Sequence, residues 1–259
     1  MICAGIDAGS RAVKIVLVDA DTLDVVGSAT ADQGIEQDAL ATRLYEKLLA
    51  DCRLDRRAVA GVVATGYSRN AVSVADTTIT EITCHACGVR HVAPEAATVI
   101  EIGGQDSKLL RLSPNGGVRD FAMNDRCAAG TGRFLEMVAA RLGVGLEALG
   151  DMALRSARPA AISSMCVVFA ETEIIGLLAA HAPPEDIVAG VQTAIVKRVV
   201  AMAGRKLAPP VVFTGGVALI PGMDRALAAA IGQPVCVAPN PQLTGALGAA
   251  ILAARQRRE

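Results

Sequence analysis

The stretch Ala4-Gly-Ile-Asp-Ala-Gly-Ser-Arg-Ala-Val-Lys-Ile-Val-Leu-Val-Asp19 decides the fold of the chain. Apolar residues that favour strands lie on both sides of a polar turn at Gly9, so the stretch predicts a strand, a tight turn and a second strand. Asp7 can hold Mg²⁺ through water, the turn can present backbone N–H groups to phosphate oxygens, and Lys14 adds a cation. Taken alone, a turn of this kind is more often structural than functional.

The residues that follow predict that this hairpin opens an α/β unit. A third strand is expected from Asp24 to Thr30, then a helix with leucines on one face, then a short apolar strand from Ala60 to Gly66. Because 52% of the residues are apolar while only 2% are aromatic, the core must be built from Ala, Val, Leu and Ile. This composition is common in α/β proteins with buried strands.

The opening pattern recurs at Thr98-Val-Ile-Glu-Ile-Gly-Gly-Gln-Asp-Ser-Lys-Leu-Leu-Arg-Leu112, again a strand, a glycine-rich polar turn and a strand. We interpret the recurrence as an internal duplication. It predicts an N-terminal domain of residues 1–94 and a C-terminal domain of residues 95–259, whose last helix, 244–257, can pack back on the first domain. Two related domains with facing glycine-rich turns would hold a nucleotide between them.

The composition argues against several classes of function. A net charge of −1 gives no general attraction to nucleic acid or to an anionic membrane. No apolar run has the length of a membrane span, and the N-terminus lacks the features of a signal peptide, so a cytoplasmic location is expected. Seven cysteines scattered through the chain do not form the pattern of a secreted disulfide framework.

Two of the cysteines occupy similar sequence settings. Cys127 lies in Asn124-Asp-Arg-Cys-Ala-Ala-Gly-Thr-Gly-Arg-Phe-Leu-Glu136, beside a small-residue turn just before a predicted amphipathic helix. Cys166 begins another helical pattern and is preceded by the capping candidates Ser163 and Ser164. A thiolate at a helix start lies near unpaired N–H groups and the positive end of the helix dipole, which suits an anionic ligand such as an iron–sulfur cluster or a phosphate. Two such cysteines suggest half of a four-thiolate site.

The other cysteines and the histidines show no comparable pattern. Cys84-His-Ala-Cys87 has the spacing of a metal-binding pair, but no second pair completes a zinc site and the segment from Glu81 to His91 reads as a helix. We expect these two thiols to be buried or to pack between helices. Ordinary structural roles are also expected for Cys3, Cys52, Cys236, His85, His91 and His181.

The order of the polar and glycine-rich turns carries a resemblance. The pattern of a P-loop is absent, but Asp7 to Ser10, Gly103-Gly-Gln-Asp106, Gly215-Gly-Val217 and Gly245-Ala-Leu-Gly-Ala249 follow one another on strand ends and a packing helix. This set resembles the superfamily of sugar and acetate kinases, heat-shock chaperone ATPases and actin. Within it, the two cysteine stretches resemble the BadF/BadG/BcrA/BcrD-type ATPases, which include activators of 2-hydroxyacyl-CoA dehydratases and ATPase subunits of benzoyl-CoA reductases. The resemblance covers nearly the whole chain.

The resemblance implies a fold and a set of site residues. The fold is α/β, with two ribonuclease-H-like domains and a nucleotide cleft between them. Asp7 and Gln105 would be catalytic, with Asp7 also on Mg²⁺ through water, and Cys127 and Cys166 would be ligands of a [4Fe-4S] cluster shared with a dimer partner. The nucleotide would be bound by Ser10, Arg11, Ala12, Val13, Lys14, Gly103, Gly104, Gly215, Gly216 and Gln242. Arg11 departs from the family pattern, which usually has a second hydroxyl there.

The function that this resemblance implies is ATP-driven electron transfer. Hydrolysis of ATP would commit one low-potential electron from the cluster to a 2-hydroxyacyl-CoA dehydratase or an aromatic acyl-CoA reductase. Ferredoxin or flavodoxin would supply the electron. Because a cubane cluster takes four thiolates and each chain offers two, a homodimer with one cluster is expected, or a heterodimer with a sister ATPase subunit.

Two rival functions remain open at this point. A small-molecule kinase of the sugar or acetate type would need a catalytic carboxylate near the γ-phosphate, whereas Gln105 favours the positioning of water. A non-enzymatic nucleotide switch, of the chaperone or filament kind, would need no cluster. Neither rival accounts for Cys127 and Cys166.

Overall fold

The structure is a computed structural model that describes residues 1–124, 127–164, 166–204 and 206–257. Asp125, Arg126 and Met165 of the two cysteine stretches therefore lie outside the described residues. The chain divides into two compact units: a first unit of residues 1–96, 112–119 and 238–259, and a second unit of residues 97–111 and 120–237. Within the described ranges, no helix combines the length and the apolar character needed to cross a bilayer.

The chain contains ten strands and eight α-helices among its described residues. The strands are β1 Ile2–Ala8, β2 Ala12–Asp19, β3 Val25–Asp32, β4 Val59–Thr65, β5 Thr77–Thr78, β6 Thr98–Ile102, β7 Ser107–Leu112, β8 Val118–Asn124, β9 Val211–Thr214 and β10 Val235–Val237. The helices are α1 Gln37–Asp51, α2 Glu81–Val92, α3 Gly132–Leu142, α4 Leu146–Leu154, α5 Val167–Ala179, α6 Pro184–Ala201, α7 Met223–Ile231 and α8 Thr244–Gln256. The predicted β-β-β-α-β opening is confirmed.

The sheet of the first unit is buried on both faces at its centre. Its strand order is β3-β2-β1-β4-β5, with β1 antiparallel to β2 and parallel to β4. Alternate residues of a strand point to opposite faces. Ile2, Ala4 and Ile6 accordingly belong to the cluster that α1 completes with Tyr45, while Cys3 belongs to the cluster that α8 completes. The unbroken apolar sequence of β1 follows from this double coverage.

Helix α8 lies unusually close to its neighbours because small residues line the contact. A Cβ atom placed on Gly5 of β1 would lie 2.0 Å from the carbonyl oxygen of Ala246. One placed on Gly88 of α2 would lie 2.0 Å from the carbonyl oxygen of Thr244, and one on Gly248 would lie 1.8 Å from that of Cys84. No side chain fits at these distances, so glycine is required at all three positions. The predicted close packing of the last helix is confirmed.

The sheet of the second unit repeats the strand order of the first. The order is β10-β9-β6-β7-β8, with β6 antiparallel to β7 and parallel to β9, and β9 parallel to β10. Helix α6 contacts α3, α4, α5 and α7 in this unit, and the core gathers around Phe134, Phe213 and Ile100. Two mixed five-stranded sheets of one topology are what an internal duplication produces.

Candidate functional site

The turn of the first hairpin brings Asp7 and Lys14 together. The two residues are paired across β1 and β2, and the Lys14 ammonium donates a hydrogen bond of 2.9 Å to the Asp7 carboxylate. Both side chains are largely buried. The local sequence explains the pairing, because the tight hairpin, in which six residues separate Asp7 from Lys14, places the two positions directly opposite each other. A carboxylate and an ammonium, both predicted site residues, therefore lie at one point at the end of the sheet.

The rest of this turn is ordered by backbone and side-chain hydrogen bonds. The N–H of Gly9 donates to the carbonyl of Ala12 at 3.1 Å, and the side-chain amide of Gln33 donates to the carbonyl of Gly9 at 2.9 Å. Ser10 is half-buried, and Val13 is buried in the sheet. The guanidinium of Arg11 pairs with Asp32 on the edge strand β3 at 3.0 Å. The position that departs from the family pattern is thus occupied by a salt bridge along the sheet edge.

The glycine that follows strand β4 leaves the space that the carboxylate of Asp7 occupies. Thr65 is the parallel partner of Asp7, and the next residue, Gly66, has φ of +95°. A Cβ atom there would lie 2.6 Å from Oδ1 of Asp7. Gly66 is required both by its backbone conformation and by the space that Asp7 occupies.

The second hairpin contains a corresponding ion pair that the sequence reasoning missed. Lys108 is paired across β6 and β7 with Glu101, and its ammonium donates to Glu101 at 3.1 Å and to Asp106 at 2.5 Å. Lys108 is 1% exposed and Glu101 is 4% exposed. The parallel partner of Glu101 is Thr214, and Gly215 follows it with φ of +91°.

The two hairpins therefore carry the same arrangement of four residues at the same places in their sheets. Each has an acid on the first strand, a lysine opposite it, and a threonine and a left-handed glycine at the end of the parallel neighbour. The first set is Asp7, Lys14, Thr65 and Gly66, and the second is Glu101, Lys108, Thr214 and Gly215. A residue-by-residue comparison of the two hairpin sequences would have revealed Glu101 and Lys108.

The second turn is attached to the start of helix α3. The carbonyls of Gly103 and Gly104 accept hydrogen bonds of 2.8 Å from the N–H groups of Gly132 and Arg133. Gln105 is exposed at the tip of the turn. The Gln105 side chain is thus exposed, while the carbonyls of the two glycines are hydrogen-bonded to the start of α3.

The remaining residues that are predicted to bind the nucleotide belong to different units. Gly215 and Gly103 both contact Glu101, since Cβ atoms there would lie 2.7 Å and 3.1 Å from its Oε1. Gly216 begins a short 3-10 helix after β9 in the second unit. Gln242 is half-buried in the 3-10 turn Pro241–Leu243, which belongs to the first unit.

Cys127 lies at the start of a 3-10 turn and not at the start of an α-helix. Residues Ala128–Gly130 form this turn, and α3 begins only at Gly132, where the side chain of Thr131 accepts from the N–H of Arg133. The predicted order of cysteine, small-residue turn and amphipathic helix is confirmed, but the N–H groups of Gly132 and Arg133 are not unpaired as expected, because they donate to the second hairpin. The thiol is half-buried, and its side chain makes no capping hydrogen bond.

Cys166 lies at the N-cap of α5, as its sequence setting predicts. Its side chain is exposed and makes no capping hydrogen bond. The prediction that Ser163 and Ser164 cap this helix is wrong, because Cys166 is the N-cap and both serines bind the carboxylate of Glu173, inside α5. Burial opposes ionisation of Glu173, but these hydrogen bonds outweigh it and lower its pKa to about 2.

Exposed apolar side chains follow Cys166 along α5. Val168 is 67% exposed and Phe169 is 69% exposed, both in the first turn of α5, and Ile175 is exposed farther along the helix. Large apolar side chains grouped on one exposed face mark surfaces that contact another molecule.

Comparison with known proteins shows the family of the chain. Residues 4–253 match the model of the BadF/BadG/BcrA/BcrD ATPase family. The chain belongs to this family. A relative named 2-hydroxyisocaproyl-CoA dehydratase activator, from Clostridioides difficile, is 44% identical over 260 residues, which cover 100% of this chain and 97% of the relative. The predicted resemblance is confirmed.

Two solved structures place the fold of this BadF/BadG/BcrA/BcrD-family ATPase. The activator of the 2-hydroxyisocaproyl-CoA dehydratase from Clostridium difficile, with bound ADPNP, has a TM-score of 0.94 and 43% identity, covering 100% of this chain and 96% of that one. A ROK family glucokinase from Streptomyces griseus has a TM-score of 0.59 at 13% identity, covering 99% and 100%. The second likeness concerns the fold alone, and it agrees with the predicted α/β superfamily.

The thiols of this family member differ in what they could bind. Cys84 is buried, and burial raises its pKa to about 12, which keeps it protonated and unreactive. Among the described residues, no group of three or more His, Cys, Asp and Glu side chains is placed to hold a metal ion. Cys127 and Cys166, half-buried and exposed respectively, fit an iron–sulfur cluster only as two of its four ligands.

Proposed function

We propose that this protein is an ATP-driven electron donor that activates a 2-hydroxyacyl-CoA dehydratase or an aromatic acyl-CoA reductase. The observation that carries the proposal is the direct hydrogen bonding between the Gly103–Gly104 turn and the helix that follows the Cys127 turn. It joins a predicted phosphate loop to the helix that follows a predicted cluster ligand, within the second unit. The relatives that are dehydratase activators, one of them with bound ADPNP, support the same function.

The nucleotide would meet charged and backbone groups of both hairpins. Asp7 would hold Mg²⁺ through water, and Lys14, which now neutralises Asp7 at 2.9 Å, would turn to a phosphate once the metal takes over that role. Ser10 and the main chain of Arg11, Ala12 and Val13 would contact phosphate oxygens. Gln105, exposed at its turn, would orient the attacking water. Gly215, Gly216 and Gln242 would border the rest of the nucleotide.

The cysteines of two chains would together hold one cluster. A [4Fe-4S] cluster supplies a one-electron carrier of low potential when bound by four thiolates. Each chain offers Cys127 and Cys166, so a homodimer, or a heterodimer with a sister subunit, completes the set. The exposed apolar side chains Val168 and Phe169 beside Cys166 would be covered in such a dimer. The uncapped N-terminus of α5 would favour the negative charge of the thiolates.

The coupling would run through the second unit. A change at the phosphate loop alters the carbonyl positions of Gly103 and Gly104, and their hydrogen bonds pass the change to Gly132, Arg133 and the turn that begins at Cys127. Nucleotide state would thereby govern when the electron leaves for the partner enzyme, at a coupling of about 1–3 kcal/mol. Reduced ferredoxin or flavodoxin would then restore the donor.

The test combines iron content with nucleotide-gated transfer. Protein reconstituted without oxygen should carry about one four-iron cluster per two chains, and Cys166→Ala should lose it. Cys84→Ala with Cys87→Ala is the matched control and should retain it. Dithionite-reduced protein should then reduce a purified dehydratase or reductase component quickly with ATP and slowly with ADP, and Gln105→Ala should bind ATP normally but hydrolyse it slowly.

Two results would reject the proposal. Full iron content in Cys166→Ala would remove the cluster assignment. Equal transfer rates with and without ATP, to a partner shown to dock, would remove the gating and leave a simple electron carrier.

A further inference from the structure

A polar side chain holds main-chain groups at or near each of the two candidate cluster cysteines. For Cys127 the side chain is Asn124, at the end of β8. Its amide oxygen accepts from the N–H of Cys127 at 3.1 Å, and its amide nitrogen donates to the carbonyl of Cys127 at 2.8 Å. Both polar groups of the Cys127 backbone are thereby fixed by one side chain.

The space for this contact depends on Gly130 in the 3-10 turn. A Cβ atom on Gly130 would lie 3.1 Å from the amide nitrogen of Asn124 and 3.6 Å from Cβ of Arg198 on α6. The Asn124 side chain therefore lies tightly against the turn. An asparagine and a glycine at these two positions act as one unit around Cys127.

For Cys166 the side chain is Glu173, inside α5. Its two oxygens accept from the N–H of Ser163 at 2.9 and 3.1 Å, from the Ser163 hydroxyl at 2.8 Å and from the N–H of Ser164 at 2.9 Å. The guanidinium of Arg198 donates to the carbonyl of Ser164 at 3.3 Å. The main chain at Ser163 and Ser164 is thus tied to α5, whose N-cap is Cys166, and also to α6.

These contacts supply hydrogen bonds to the local main chain that the cysteine side chains do not supply as caps. Cysteine is a poor capping residue, and neither Cys127 nor Cys166 makes a capping hydrogen bond with its side chain. The hydrogen bonds of Asn124 and Glu173 add restraints on the main chain at Cys127 and at Ser163 and Ser164. Partners behind a ligand that fix its orientation typically change metal affinity 10- to 100-fold when they are altered.

We propose that Asn124 and Glu173 are positioning residues that hold the main chain around Cys127 and Cys166 in the geometry for binding the cluster. The proposal rests on the function proposed above. Neither side chain touches the reacting group; each acts through the backbone of a cysteine segment. Glu171, two residues before Glu173, instead pairs with Arg141 on α3 and lies outside this arrangement.

The test compares Glu173→Gln and Asn124→Asp with the control Glu171→Gln on the same helix. Glutamine turns an NH₂ group toward donors that need an acceptor, and aspartate loses the donor to the Cys127 carbonyl. Both variants should lose iron to bathophenanthroline about 10- to 100-fold faster than the control. In metal-free protein, hydrogen exchange should quicken at the amides of Ser163 and Ser164 in Glu173→Gln, and at that of Cys127 in Asn124→Asp, while ADPNP affinity stays within about twofold.

The outcomes separate the inference from the proposed function. Wild-type protein that binds no iron after reconstitution would reject the proposed function. Wild-type protein that keeps its iron, beside Glu173→Gln and Asn124→Asp variants that keep it equally long, would overturn only the positioning role. If Asn124→Asp is too unstable to purify, the comparison of Glu173→Gln with Glu171→Gln decides. The melting temperatures of these two variants are compared first, so that a loss of iron is not confused with unfolding.

Discussion

Lys108 carries its charge on a side chain that is 1% exposed, between the carboxylates of Glu101 and Asp106. Taking an ammonium and a carboxylate out of water is costly, and the cost is met only while the pair is intact. The sequence equivalent, Lys14 with Asp7, is less deeply buried. The second hairpin therefore depends on its ion pair for stability more strongly than the first.

Replacing Lys108 with methionine tests this dependence. Lys108→Met keeps the length of the side chain but leaves Glu101 buried without the ammonium, so we expect a loss of about 3–5 kcal/mol in the free energy of unfolding. Lys47→Met is the control, since Lys47 pairs with Asp51 on the exposed face of α1 and its removal should cost about 0–1 kcal/mol. Urea unfolding measures both. Similar small losses in the two variants would contradict the importance of the buried pair.

At this scale the sequence predicts Asp7 and Lys14 from their place in the first hairpin, but Glu101 and Lys108 were missed although they are paired in the same way. Asp7, Gly9 and Lys14 lie within one hairpin, so their spacing alone places them together. The contact of Glu173 with Ser163 and Ser164 could not be predicted, because it joins residues before α5 to a residue inside α5 and no local sequence pattern marks it.

The packing of α8 shows how glycine determines the distance between elements. The backbones of α8, α2 and β1 meet where Gly248, Gly88 and Gly5 have no side chain. Helix α5 carries a glycine of the opposite kind: a Cβ on Gly176 would have no atom within 4 Å. The two helices therefore offer a matched pair of sites.

Alanine at these sites should have opposite effects. In metal-free protein, Gly248→Ala would force a Cβ to 1.8 Å from the Cys84 carbonyl oxygen and push α8 from α2, which should cost at least about 1–3 kcal/mol. Gly176→Ala should stabilise the protein by about 0.5–1 kcal/mol, because it removes backbone freedom of the unfolded chain without a clash. Thermal unfolding compares the two. A neutral Gly248→Ala variant would show that α8 can move away without cost.

Elements were predicted well where one pattern sufficed. The small residues at 244–252 correctly indicated a closely packed helix, and the apolar run of β1 indicated a buried strand. The start of α3 after the small-residue turn was also indicated, but the sequence did not show that its first N–H groups are paired. Those N–H groups donate to the carbonyls of Gly103 and Gly104, which lie in a distant part of the chain and are not marked as partners by the local sequence.

On the scale of the molecule, the duplication is visible in the sequence only at the two hairpins. The structure extends it to the whole strand order of both sheets and to Thr65–Gly66 and Thr214–Gly215. These dipeptides lie at different distances from their hairpins along the chain, so no fixed repeat length could have aligned them. Strand pairing, which is a property of the folded chain, reveals the correspondence.

The coverage of the first sheet by α8 has a consequence for synthesis of the protein. Cys3, Val16 and Val18 belong to an apolar face whose other half comes from residues 246–254. At about 5–20 residues per second, a ribosome needs roughly 10–50 s to make the chain between them. Throughout that time this face is exposed to water and to other apolar chains. A nascent chain arrested near residue 230 should be cut by protease throughout residues 1–96, and one whose α8 has cleared the exit tunnel should resist; equal resistance would show that the first sheet closes without its final helix. The part of the protein that is translated first would thus be unable to finish folding until the last helix is released, and holdase chaperones would have their best opportunity there.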